Sequence, residues 1–305
     1  GTVSRLLGRV GYQTMTGRGC PHRCAYCVND AVKALYGAKG YLRWRGTEHV
    51  LAEIEAVRHV LPGIGYVWIS DDAFFARPLE DIREFCRQWK ARVGLPFTCL
   101  GSPATISREK MDALVDAGMC YLQMGVQTGS PRIQELFNRK AMGNAVMLTA
   151  MAVINGFKDR MLPPSYDFIL DTPYETLADR LDSVRFIARI PKPFRLQPFS
   201  LVLYPGTKLH AMAAADGFLT DERRQVYTKS YTMRRPDYVN LLILLAKGGR
   251  LPSRLLAVLA SDAVAVPLSR PAMLPVWRLV FALMEPAKKL LRALRGLAAR
   301  LGKRP

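Results

Sequence analysis

The chain has 305 residues, enough for one large domain or two ordinary ones. Half of them are apolar and 23% are charged, a mixture that excludes a disordered tail and a fibrous repeat. Lys and Arg number 44 against 25 Asp and Glu, a net charge of +19 that points to nucleic acid, an anionic membrane or a polyanionic substrate and is silent on fold.

The charge is spread unevenly. Residues 240–305 hold 12 Lys or Arg against only Asp262 and Glu285, a net of +10. No apolar run approaches the roughly 18 residues of a membrane-spanning helix; the purest, Leu241–Ala246, has six. Arg5 and Arg9 interrupt the amino terminus, which does not read as a signal peptide. A chain opening on Gly1 reads as a fragment or a processed product. Six cysteines are too few for a disulfide scaffold, and three of them fall within eight residues.

In chain order, the apolar run Val10–Met15 predicts a strand leading into a glycine-rich loop, Thr16 to Gly19, and the cysteine cluster. Helical spacing follows at His49–Val60, with Val50, Leu51, Ile54 and Val57 inward and Glu53 and Glu55 towards solvent. Gly63 and Gly65 break it before a buried strand at Tyr66–Ser70. The alternation then repeats. Helices at Leu79–Arg92, Arg108–Ala117, Asn144–Asn155 and Leu177–Ala188 precede strands at Phe97–Gly101, Tyr121–Val126, Ser165–Leu170 and Leu196–Leu203. Strands separated by helices of 10–15 residues predict right-handed βαβ units and a parallel sheet. The fold class is therefore α/β. Six such repeats suit a partial (βα)6 TIM-like barrel over 1–225, with a mainly helical, basic extension over 226–305.

Cys20, Cys24 and Cys27 stand in a C-x3-C-x2-C pattern. Three thiolates on one short loop can wrap a metal centre. Zinc would ask for a second CxxC or two well-spaced histidines; the chain has no second CxxC, and His49, His59 and His210 stand apart. Cys86, Cys99 and Cys120 read as packing residues. A cubane iron–sulfur cluster fits better, since three thiolates on four irons leave one iron open.

This pattern, with Tyr26 just before the last cysteine, resembles the signature of the radical S-adenosylmethionine (SAM) superfamily. The resemblance implies a [4Fe–4S] cluster on Cys20, Cys24 and Cys27 whose open iron chelates SAM. One electron then cleaves SAM to methionine and a 5′-deoxyadenosyl radical, with Tyr26 beside the adenine. It also implies a flavodoxin- or ferredoxin-type electron donor.

In barrels the chemistry sits at the carboxyl ends of the strands, where the other motifs fall. Asp71 and Asp72 open the stretch Asp71-Asp72-Ala73-Phe74-Phe75, similar to an Asp-Asp-x-Phe element of cobalamin-linked members that meets the amino group of SAM; the plainer reading is a helix N-cap. Gln127 and Thr128, in Gly125 to Ser130, resemble the family's G-x-E/Q-S/T-G-S element, which contacts ribose or carboxylate; Thr128 and Ser130 read equally as helix caps. Asp171 to Thr176 and Leu203 to Thr207 resemble two family turns, read here as mainly structural. Tyr41 to Arg45 matches a basic stretch of cobalamin-linked members or is plain surface charge. The resemblance covers roughly residues 10–225. Cobalamin-linked members usually carry an amino-terminal cobalamin domain with an Asp-x-His-x-x-Gly motif, which this sequence lacks. The expectation is that the domain was removed, sits on a separate chain, or is not used.

Near the end, Leu290, Leu294, Leu297 and Leu301 share one stripe at helical spacing, with Lys288, Arg292, Arg295 and Lys303 opposite; 276–284 is almost continuously apolar. A cationic amphipathic helix over 276–305 suits either peripheral membrane contact or packing on the barrel. Nucleic acid is disfavoured because no recognition module accompanies the charge.

The leading expectation is a cytoplasmic radical SAM enzyme of the cobalamin-linked class, a methyltransferase or cyclase, at the inner face of the membrane. It acts on an unactivated carbon of a small or lipid-like substrate. The alternatives are an RNA-modifying methylthiotransferase and a non-catalytic, membrane-attached metal-binding module.

Overall fold

The computed structural model describes residues 8–37, 39–229 and 235–284. Its strands are β1 (Val10–Thr14), β2 (Gly17–Arg18), β3 (Arg43–Trp44), β4 (Ile64–Ile69), β5 (Phe97–Gly101), β6 (Met119–Gln127), β7 (Ser165–Leu170) and β8 (Arg195–Ser200). Its helices begin with α1 (Val28–Tyr36), α2 (Thr47–Val60), α3 (Leu79–Arg92), α4 (Arg108–Asp116) and α5 (Pro131–Leu136). They continue with α6 (Asn144–Asn155), α7 (Leu177–Ala188) and α8 (Lys208–Ala215).

Six strands form one parallel sheet in the order β1-β4-β5-β6-β7-β8. Each new strand is added on the same side of the last. Right-handed crossovers then place every helix on one face, and the twisted sheet curls into an open barrel rather than a doubly wound sheet. This is the partial barrel that the strand–helix alternation predicts.

Burial divides each strand by parity. Val67, Ile69, Phe97, Cys99, Leu122, Met124, Tyr166 and Phe168 pack against the helices. Phe85 and Trp89 of α3 close on Phe97 of β5, the Trp89 and Phe97 ring centres 5.0 Å apart, and Trp89 Nε1 donates to the Leu95 carbonyl at 2.9 Å. Each such side chain contributes roughly 1.5–3 kcal/mol by leaving water. The inward-facing residues are more polar, among them Gln123, Gln127 and Asp167.

Two details differ from the sequence reading. Glu53 does not face solvent: its carboxylate accepts from the Tyr12 and Thr14 hydroxyls at 2.9 and 2.7 Å and pairs with Arg45 at 2.6 Å. It ties α2 to the edge strand β1, and those donors hold its carboxyl below the usual range against the opposing effect of burial. The strand predicted to reach Leu203 stops at Ser200; Leu201 N still donates to Leu170 O at 2.8 Å, and 201–203 then pack on α5 and α8.

Beyond the barrel lie α9 (Tyr238–Ala246), α10 (Ser253–Leu259), α11 (Asp262–Leu268) and helical backbone over 274–284. Val239, Leu242, Ile243, Leu256 and Ala265 join the same core as Leu181 and Val184 of α7. The free edge of β8 is also covered, because Leu196 N donates to the Lys247 carbonyl at 2.8 Å. Gly249, at φ +67°, makes that approach; a Cβ there would lie 2.6 Å from the Phe194 carbonyl. The stripe predicted on Leu290, Leu294, Leu297 and Leu301 lies outside the described residues. No described helix is long and apolar enough to cross a membrane.

Candidate active site

The cysteine loop sits between β2 and α1, above the carboxyl ends of the strands. Neighbouring backbone clamps it: Ala25 N donates to Phe137 O at 3.0 Å, Leu209 N to Ala25 O at 2.8 Å, and Asn138 Nδ2 to Arg23 O at 2.7 Å. The ribbon of β2 and β3 folds over its start, which gives the Tyr41–Arg45 stretch a structural role. Gly19, at φ +90°, lets it lie against Tyr41, whose carbonyl would be 2.5 Å from a Cβ.

All three thiols are free. Burial pushes the Cys20 thiol up to about 11, offset by a backbone N–H at His22 and reinforced by the charges of Cys24, Cys27 and Asp72. Burial raises Cys27 as well, while Asn29 pulls it back. Cys27 is also the N-cap of α1, whose helix dipole favours its thiolate. Metal coordination deprotonates thiols outright. Among the described residues no three His, Cys, Asp or Glu side chains close on a single ion. A cubane asks for something else, since each thiolate binds a separate iron. The donor set therefore fits a [4Fe–4S] cluster held by Cys20, Cys24 and Cys27.

The expected SAM contacts divide. Tyr26 packs edge-on against Phe137 with ring centres 4.9 Å apart and lines a cavity of about 370 Å3. Gln127 lines the same cavity. It sits at φ +74° at a register shift in β6, its Nε2 lying 2.5 Å from where a Cβ on Gly125 would be. Asp72 is exposed, and its charge reaches Cys20, Cys27 and Tyr41. Asp71, by contrast, is buried and occupied within the protein. It accepts from Thr16 N at 2.5 Å and Thr16 Oγ1 at 2.6 Å and pairs with Arg77 at 3.4 Å. Thr128 is buried too, its hydroxyl 3.2 Å from Ser183 Oγ and accepting from Ser130 N at 3.1 Å. Both of these side chains brace the elements that carry the cavity.

Two residues not singled out from the sequence complete the site. Buried Arg139 donates to Cys24 Sγ at 3.6 Å, Tyr26 Oη at 3.2 Å and Gly125 O at 2.8 Å, and its Nε has no partner. It joins the cysteine loop to the register shift beside Gln127 and brings a fixed positive charge to the cluster position. Asp167 of β7 lines the cavity and accepts from Gln123 Nε2 at 3.0 and 2.9 Å. Burial pushes its carboxyl up to about 7, with the Gln123 bonds opposing. Neither residue belongs to a short motif; only a lone inward acid on a strand hinted at Asp167. The rest of the wall is mainly apolar, with Ile169, Phe199, Leu201 and Val202 beside Ser200 and Tyr204.

An open parallel barrel with three free thiols at its carboxyl end, a buried guanidinium beside them and an adjoining cavity defines a cluster-and-nucleotide enzyme class. Residues 14–187 match the family model of the radical SAM superfamily, and the chain belongs to that superfamily. Its enzymes use a [4Fe–4S] cluster and SAM. The chain is 26% identical over 217 residues to an uncharacterised methyltransferase of Pyrococcus horikoshii, covering 70% of this chain and 44% of that protein. The methyltransferase TsrM of Kitasatospora setae, solved with cobalamin and a [4Fe–4S] cluster, superposes with a TM-score of 0.54 at 20% identity, covering 67% of this chain and 39% of TsrM. The cobalamin-dependent enzyme OxsB, solved with aqua-cobalamin and SAM, gives 0.57 at 14% identity, covering 68% and 35%. Methylornithine synthase gives 0.50 at 14% identity, covering 84% and 72%. The chain thus spans less than half the length of the curated relative it matches.

Proposed function

We propose that this chain is the catalytic barrel of a cobalamin-linked radical SAM enzyme that methylates or rearranges an unactivated carbon of a small or lipid-like substrate. The clamped loop of Cys20, Cys24 and Cys27, with Arg139 bonded to Cys24, carries the reading. The methyltransferase relative and the cobalamin-bound neighbours support the finer class, with cobalamin held by another domain or chain.

When bound, the cluster and SAM supply a 5′-deoxyadenosyl radical. The protein's own residues position and enclose them. Tyr26 and Ile169 offer apolar surface for adenine, and Asp167 and Gln127 accept from ribose hydroxyls. The fixed charge of buried Arg139 would favour the carboxylate of the methionine part, and the exposed carboxylate of Asp72, beside the cysteine loop, would favour its ammonium. The apolar wall at Phe199–Val202 keeps water from the reacting carbon.

The electron must enter from outside, and the surface next to the loop suits an acidic protein of flavodoxin or ferredoxin type. Helix α1 has no buried residue; Leu35 and Tyr36 are 80% and 82% exposed on one face with Val28. Lys39 and Arg43 border a groove of about 300 Å3 beside Tyr36. Peripheral contact with an anionic membrane is the matching placement for the exposed stripe Val276, Leu279 and Leu283.

Anaerobic reconstitution of the whole chain is expected to give about four irons per chain. Cys24→Ala is expected to abolish SAM cleavage to 5′-deoxyadenosine. Cleavage retained in that variant would defeat the assignment.

A further inference from the structure

A second cavity, of about 430 Å3, opens at the seam between the barrel and the C-terminal helices. It shares no lining residue with the cavity at Tyr26. Its barrel side comes from the turn after β7 and the first turns of α7, and its other side from residues 235–237 and 269–278.

Four guanidinium groups line it, those of Arg180, Arg235, Arg270 and Arg278. Arg180 and Arg235 share one carboxylate: Arg180 Nη2 lies 2.6 Å from Asp237 Oδ1, and Arg235 Nε 2.9 Å from Asp237 Oδ2. Arg270 and Arg278 have no carboxylate partner among the described residues. The remaining acid is Glu175, whose carboxyl burial pushes up to about 7 while Arg180 pulls it down. Even with Glu175 ionised, the four cations outnumber the two lining acids.

Three polar atoms here are buried without hydrogen-bond partners among the described residues: Ser269 Oγ, Glu175 Oε2 and Asp237 Oδ2, the last held only by its ion pair with Arg235. A buried hydroxyl without a partner costs free energy that a ligand would recover. Excess positive charge, two unpaired planar forks and a spare hydroxyl match an oxyanion with several acceptor oxygens. The cavity is much larger than an inorganic ion, and Leu274 and Trp277 give it an apolar wall. Trp277 is held in place, its Nε1 donating to Leu268 O at 2.7 Å and its ring tilted against Tyr238, centres 5.3 Å apart.

We infer that this seam cavity binds a phosphate monoester, with the phosphate between Arg270, Arg278 and Ser269 and the organic body against Leu274 and Trp277. The residues lie outside the radical SAM site, so failure of that reading would leave this one standing.

Titration calorimetry on the whole reconstituted protein tests it with phenyl phosphate, inorganic phosphate and phenol, and co-sedimentation with phosphatidylcholine vesicles with and without phosphatidate. Phenyl phosphate is expected to bind more tightly than inorganic phosphate, with phenol silent. Arg270→Gln combined with Arg278→Gln should weaken it about 10-fold or more, since each removes a charge-assisted bond. Iron content and melting temperature should stay unchanged, because both side chains are exposed. If the double variant loses phenyl phosphate binding alone, the ligand is soluble; if it also loses a phosphatidate-dependent part of vesicle binding, the monoester is a lipid headgroup. Equal affinity in wild type and double variant, for both probes, would overturn the inference, as would phenyl phosphate binding no tighter than phenol.

Discussion

Asp167 shows how one carboxyl can serve a site at a cost to the fold. It lies inside the barrel with a neutral amide as its hydrogen-bond donor, so burial lifts its carboxyl to about 7. The folded chain therefore keeps a proton that the unfolded chain releases near pH 4. Stability from this group falls as pH rises through the window between about 4 and 7, then stays level. Asp167→Asn removes that dependence. Its unfolding free energy relative to wild type should rise across the window by on the order of 4 kcal/mol. Denaturant titrations at pH 4.5, 6 and 8 check it, and a flat difference would show that the carboxyl is not held protonated. Arg139 is the matching case among cations: its bonds to Cys24 and Tyr26 reach across 115 and 113 positions. No local pattern around it announces a contact at that separation. The Asp71-Asp72 pair makes the same point in reverse, since sequence treats the two alike and the fold buries one among Thr16 and Arg77 while leaving the other exposed.

The turn between β6 and α5 packs closely on α7. Gly129 allows this: a Cβ there would lie 2.5 Å from Phe186 Cβ and 2.9 Å from the Asp182 carbonyl. Its N–H donates to Ser183 Oγ at 2.9 Å, and Ser130 Oγ donates to Asp179 Oδ1 at 2.6 Å. Gly129→Ala should therefore cost about 1–3 kcal/mol by overpacking, read as a lower melting temperature without change in secondary structure. Helix α1 is the opposite kind of element, contributing little to the core. Leu35→Asp should leave the unfolding free energy within about 0.5 kcal/mol of wild type, as surface changes do. Turnover driven by reduced flavodoxin should fall several-fold, while turnover driven by dithionite stays the same. An equal loss with both reductants would remove α1 from the docking surface.

For the molecule as a whole, the division at 225/226, read from where the strand–helix repeats end, meets a shared core. Val239, Leu242 and Ile243 pack with Leu181 and Val184, and Lys247 covers the edge of β8. Each such apolar side chain contributes roughly 1.5–3 kcal/mol, against a total stability of about 5–15 kcal/mol. A chain ending at residue 227 should consequently aggregate or unfold below the melting temperature of the full chain, visible by light scattering and circular dichroism. A truncated barrel as stable as the whole would show the extension to be an independent unit. Part of the excess positive charge also takes a place in the fold, with Arg270 and Arg278, which have no carboxylate partner among the described residues, lining the seam cavity.

The alternating strands and helices, and the three cysteines with Tyr26, were open to reading from the sequence because each is written within a dozen residues. Apolar periodicity sets which face of an element is buried, and loop length alone brings close thiols together. Helices such as Leu79–Arg92 and Leu177–Ala188 accordingly match to the residue. Tertiary structure alone decided which of two adjacent aspartates stays exposed, that Arg139 meets Cys24, that Asp167 faces a cavity, and that the extension completes the barrel's core. Those contacts join segments far apart in the chain. Burial and the loss of water, not local pattern, determine what each polar group must do there.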